Sequence, residues 1–127
     1  MMELESYMHG ECHLFALALN QAFGYDMVFV FDEMDIEVQS EVLIHAYCKT
    51  EEGCVDARGF FKEEDALAEH DYSRPYTVDV SVREVHSLIE TGFLHTPSFG
   101  QMDELTQFLK DNRERFAETV YQKEEAK

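Results

Sequence analysis

The chain predicts an α+β fold, with an N-terminal helix packed on a small antiparallel sheet and helices at the C-terminal end. Three observations predict it. Cys12 to Phe23 keeps apolar side chains at helical spacing. Two β-rich runs, residues 42–48 and 54–58, flank a polar turn that contains Gly53, a hairpin signature. Ser81-Val82-Arg83-Glu84 matches a capping box, so a helix opens after the strands.

The elements follow in order. Residues 1–11 are a polar lead-in with Tyr7 and Met8 as anchors. In the first helix Leu14, Ala18 and Ala22 form one i, i+4 row, and Phe15, Leu19 and Phe23 form the next. Ala16 and Leu17 make the other flank apolar too, so this helix is expected to be largely buried. Gly24 suits its C-terminal stop.

Met27-Val28-Phe29-Val30-Phe31, between Asp26 and Asp32, reads as a buried strand. Residues 32–41 read as an acidic loop. Residues 42–48 are a second strand, 49–53 a turn and 54–58 a third strand ended by Gly59. Residues 62–70 read as a short charged helix, broken by Ser73-Arg74-Pro75. Residues 76–80 alternate as a further strand, and a helix runs from about Val82 to Thr91 before Gly92. Residues 93–100 form a loop around Thr96-Pro97.

The last helix starts near Gln101, its inner face being Met102, Leu105, Phe108, Leu109, Phe116 and Val120. The tail, residues 122–127, is polar and expected to fray. Nothing repeats and no linker divides the chain, so residues 1–127 read as one domain.

Composition narrows the function. The net charge of −17 has the wrong sign for a phosphate backbone, so direct nucleic-acid binding is not expected. No apolar run approaches the ~20 residues that cross a bilayer, so no membrane association is expected. Glu3 and Glu5 stand where a signal peptide would carry cations. Three cysteines make an odd set, which fits a reducing compartment better than a disulfide framework. The expectation is a soluble, cytoplasmic protein.

Three residues could carry chemistry. Cys12 opens the buried helix, where unpaired amides and the helix dipole favour a thiolate. The alternative is a packed core thiol. His45 lies inside an apolar strand, and Asp56 lies on the strand that returns from the turn. A turn over residues 49–52 sets His45 opposite Asp56. A turn at Glu51-Glu52 sets Asp56 opposite Tyr47 and one diagonal step from His45, still on one face. A register with Cys48 opposite Cys54 would put His45 and Asp56 on opposite faces.

In the first two cases an imidazole can take the thiol proton, and a carboxylate can fix the imidazole's tautomer. The other readings are a structural histidine, and an aspartate that caps the turn or pairs with Arg58. The amide of Cys12 or of a residue just after it could hold an oxyanion. Tyr7, His9 and His13 are the side-chain candidates for substrate or oxyanion binding.

These residues resemble the papain-like superfamily in its small bacterial and phage forms. The likeness rests on Cys12-His13-x-Phe15-Ala16-x-Ala18-Leu19, on the hydrophobic strand with His45, and on Val55-Asp56-Ala57-x-Gly59. It covers residues 10–60, and residues 61–127 carry no matching motif. It implies a papain-like core, a nucleophile at Cys12, a base at His45 and an orienting residue at Asp56; no cofactor and no metal are expected. It also implies peptide or isopeptide hydrolysis, deamidation, or amide and acyl transfer, as in peptidases, deamidases and transglutaminase-like enzymes. The chain departs from the pattern at one point: many members place a glutamine shortly before the nucleophile, and residues 1–11 contain none.

The function expected is thiol-dependent amide hydrolysis or acyl transfer on a peptide or protein substrate, with the acidic surface suiting a basic one. Two other readings stand beside it. One is a non-catalytic acidic protein that binds a basic partner or mimics nucleic acid, using the acidic segment 32–41. The other is a zinc site built on His9-x-x-Cys12 or His45-x-x-Cys48 with Cys54. Strand geometry weighs against the second pair, because residues three apart on a strand point to opposite faces.

Overall fold

The computed structural model describes Tyr7 and residues 11–35, 40–65 and 75–117. The architecture is α+β. Helix α1 spans Cys12–Phe23. Strands β1 (Asp26–Asp35), β2 (Ser40–Thr50), β3 (Gly53–Asp56) and β4 (Gly59–Phe61) follow. A 3₁₀ turn at Glu63–Asp65 precedes β5 (Pro75–Val80). Helices α2 (Val82–Glu90), α3 (Gln101–Asp111) and α4 (Arg113–Phe116) complete the described chain. The described strands form one open antiparallel sheet in the order β4-β3-β2-β1-β5.

Helix α1 forms as its pattern predicts. Nine of its residues are buried, and its first turn carries no acidic side chain. It ends at Gly24, whose φ of 77° lets its N–H reach Asn20 O. The helix lies against β1, β2 and β3, and α3 packs on it. The predicted capping box at α2 is present: Ser81 Oγ accepts from Glu84 N, and Glu84 Oε1 accepts from Ser81 N.

The sheet buries side chains on both faces. Met27, Phe29, Ala46, Cys48 and Val55 share a core with α1. The alternate positions Val28, Val30, Tyr47 and Cys54 form a second buried cluster with Phe61 beside it. Burial on both faces is why residues 27–31 are apolar without alternation. The Cys48 thiol donates to Ala16 O at 3.3 Å, which identifies the α1 face.

Several expectations need correction. Residues 32–35 belong to β1, and 40–41 to β2, rather than to an acidic loop. Here ladder hydrogen bonds extend the strands past their apolar stretch, with Glu33 paired to Glu41 and Asp35 to Ser40. Residues 36–39 lie outside the described residues.

The third strand ends at Asp56, not Arg58, and a tight turn at Ala57-Arg58 leads into the unforeseen β4. The Asp56 carboxylate closes this turn by accepting from Arg58 N at 2.8 Å. Gly59 follows with a φ of 96°, and a Cβ there would stand 3.3 Å from Arg115 O. The last helix is broken at Asn112, whose φ of −121° and ψ of 41° leave the helical region. Asn112 Nδ2 donates to Phe108 O at 2.8 Å and so competes with helix continuation. Of the short helix over 62–70, only the 3₁₀ turn at Glu63–Asp65 falls among the described residues. Residues 66–70, and the tail over 122–127, lie outside them.

No helix among the described residues is long and apolar enough to cross a membrane.

Candidate active site

The register of β2 on β3 decides which polar residues meet. Cys48 faces Val55, Lys49 faces Cys54 and Thr50 faces Gly53, so Glu51-Glu52 make the turn. Extended by one pair, this register sets Asp56 opposite Tyr47 and diagonal to His45. His45 Nε2 donates to Asp56 Oδ2 at 2.7 Å, with the two side chains only 4% and 2% exposed. A carboxylate only accepts, so Nε2 carries the proton and Nδ1 presents its lone pair.

A bulge lies beside this histidine. Val30 pairs with His45, but Phe31 pairs with Leu43, leaving residue 44 as the extra one.

Asp56 is held from a second side. Arg58 Nε lies 3.1 Å from Oδ1, and Arg58 Nη2 lies 2.8 Å from Oδ2. The Arg58 guanidinium also sits 4.2 Å from the centre of the Phe61 ring. Burial by itself pushes the Asp56 carboxyl up. The hydrogen bonds from His45 and Arg58 outweigh it and hold the group below the ordinary carboxylate range. Orienting the histidine, closing the turn and pairing with Arg58 are therefore simultaneous duties of one carboxylate.

Cys12 is the first residue of α1 and is buried at 3% exposure. Burial pushes its thiol up to about 11. Hydrogen bonding from the amides of Ala46, His13 and Cys12 itself pulls the other way, and the Asp56 charge adds to the rise. Ala46 is the residue that follows His45 on β2.

Cys12 belongs to the α1-side core, whereas His45 and Asp56 share the opposite face with Tyr47. Among the described residues no hydrogen bond joins the sulfur to the imidazole. Burial raises Cys48 and Cys54 as well.

The remaining candidates separate. His9 lies outside the described residues. Tyr7 is buried, with its ring centre 5.6 Å from that of Phe15, and its hydroxyl accepts from Gln101 Nε2 at 3.0 Å. The hydroxyl proton is thus left to donate elsewhere. His13 Nε2 donates to His95 O at 2.8 Å, and its buried Nδ1 has no partner. Its single N–H is spent on that carbonyl, and burial lowers its pKa and favours the neutral ring.

Sequence reasoning missed Gln101. This side chain opens α3 and donates to Glu11 Oε2 at 2.6 Å and to Tyr7 Oη at 3.0 Å. It therefore grips the residue immediately before Cys12. A glutamine 90 positions away carries no sequence signal for that role.

Among the described residues no group of three or more His, Cys, Asp or Glu is placed to hold a metal ion. His45 and Cys48 point to opposite faces of β2, as strand geometry requires.

No family model, curated protein or solved structure matches the chain.

Proposed function

We propose that this protein is a thiol-dependent amide hydrolase or acyltransferase of the papain-like kind, acting on a peptide or protein substrate through Cys12, His45 and Asp56. The observation that carries the reading is the buried 2.7 Å bond from His45 Nε2 to Asp56 Oδ2. It leaves Nδ1 as the basic nitrogen, on a strand whose next amide, that of Ala46, works to lower the Cys12 thiol pKa.

The chemistry follows from these positions. Cys12 rests as a neutral thiol, since its pKa is about 11. As Sγ attacks the amide carbon, its proton passes to His45 Nδ1. The imidazolium so formed is stabilised by Asp56, which stays ionised. The amides at the start of α1 and at Ala46 stand near the sulfur, where the carbonyl oxygen gathers charge. His45 then gives its proton to the leaving amine, and a thioester on Cys12 remains. Water resolves it in hydrolysis or deamidation, and a second amine resolves it in transfer. The reading requires the sulfur and the imidazole to reach hydrogen-bond distance of each other in the substrate complex.

The test is the pH profile of Cys12 alkylation by iodoacetamide, read by peptide mass. The expected result is labelling between pH 6 and 8 that drops about 100-fold or more in His45→Ala. Labelling of Cys12 only above pH 9, unchanged in His45→Ala, would overturn the reading.

A second reading rests on the charge of −17. An acidic protein of this size can bind a basic partner with no chemistry. Co-purification of a basic protein, undiminished by Cys12→Ala and lost above about 0.5 M salt, would favour it.

A further inference from the structure

We infer that the loop between α2 and α3 is the substrate rim of this site, and that Phe99 selects an apolar side chain next to the amide that Cys12 attacks. The inference deepens the proposed function and rests on it.

The loop is fastened at both ends to the residues that flank Cys12. At one end His95 O accepts from His13 Nε2 at 2.8 Å. At the other, Gln101 Nε2 donates to Glu11 Oε2 at 2.6 Å. Glu11 and His13 are the immediate neighbours of Cys12 in the chain, so residues 96–100 are strung between two anchors on either side of it. A local turn stiffens the span: Ser98 N donates to Gln101 Oε1 at 2.8 Å, and Gln101 N donates to Ser98 O at 3.0 Å. Pro97 restricts the backbone further. Leu94 is buried and roots the loop in the core.

Phe99 lies within this fastened span and is fully exposed, more so than any other large apolar side chain described. A lone exposed apolar residue is ordinary on a protein surface. What sets Phe99 apart is its placement on a loop held against both neighbours of Cys12. A phenyl ring in that position offers an apolar wall to a substrate side chain and nothing to a polar one. The occupant is a peptide segment carrying an aromatic or aliphatic residue beside the scissile amide. The net charge of −17 disfavours acidic residues in the same segment.

Two reagents with the same reacting carbon test this, iodoacetamide and N-benzyl iodoacetamide. Each forms a bond from Sγ to carbon and releases iodide, and only the second carries an apolar group. The readout is the ratio of the two rates at Cys12, which cancels changes in the thiol itself. The wild-type protein is expected to favour the benzyl reagent by about 3- to 10-fold, the ordinary worth of an aromatic contact. Phe99→Ser should bring the ratio to that of a free cysteine peptide, and Phe99→Leu should keep part of the preference. A wild-type ratio equal to the peptide's, or a ratio unmoved in Phe99→Ser, overturns the inference while His45-dependent labelling leaves the proposed function standing. Loss of His45 dependence, or no labelling of Cys12 by either reagent, overturns both.

Discussion

His45 and Asp56 meet across 2.7 Å although they are not cross-strand partners. The diagonal is short enough because both side chains stand on one face and the strands twist. Asp56 is buried at the end of its strand, where it also accepts from the Arg58 amide and guanidinium. Such a carboxylate has little freedom, and the imidazole bonded to it has less.

That arrangement makes the tautomer of His45 depend on Asp56. In Asp56→Asn the side-chain amide can donate to Nε2, which moves the ring proton to Nδ1 and removes the base. His45-dependent alkylation of Cys12 should fall by about 100- to 10,000-fold. Peptide mass after timed quenching measures it, and circular dichroism checks that the variant folds.

The same carboxyl should make stability sensitive to acid. Its folded pKa lies below its ordinary 3.8, through hydrogen bonds from His45 and Arg58 that outweigh burial. A depressed carboxylate contributes stability above its unfolded pKa, and that contribution disappears as pH falls through the folded value. Urea midpoints should therefore drop below about pH 4, and the drop should be smaller in Asp56→Asn. An equal drop in both proteins would exclude Asp56 as its source.

His13 should give a second pH dependence of separate origin. Burial lowers its pKa below 6.5; its contact with His95 O and the charge of Glu11 oppose that, and the charge of His95 adds to it. The unfolded chain then takes up the proton first as pH falls. Stability should be full above about pH 6.5, decline below it, and level off beneath the folded pKa. His13→Gln keeps an N–H for the carbonyl and removes the titration. The difference in urea midpoint between the two proteins should narrow between pH 8 and pH 5.

Gly59→Ala should destabilise the β3–β4 turn. A φ of 96° is unfavourable for alanine, and the new Cβ would lie 3.3 Å from Arg115 O. The expected cost is about 1–2 kcal/mol, measured by chemical denaturation. Ser81→Ala, at the exposed cap of α2, should cost about 1 kcal/mol and leave Cys12 labelling unchanged.

Local chemistry made much of the architecture legible. Helical spacing marked α1, Gly24 marked its end, and the Ser81-Glu84 capping box marked α2, because each depends on residues a few positions apart. Charge density misled at residues 32–35 and 40–41, because a strand's extent is set by the ladders beside it and not by its own polarity.

Cys12, His45 and Asp56 could be singled out as a thiol at a helix start and polar groups in apolar strands, since such residues stand out against their neighbours. Their geometry was a tertiary matter. The turn at Glu51-Glu52 chose the diagonal pairing, and a bulge between Leu43 and His45 interrupts β2 beside the histidine. Gln101 and His95 reach Glu11 and His13, the residues on either side of Cys12, from the far end of the chain, through bonds that no local pattern encodes. The sequence by itself determined which residues had chemistry to offer, because residue type and short-range periodicity are local properties. Only the tertiary structure decided which of them meet, because register and packing join residues that the chain keeps far apart.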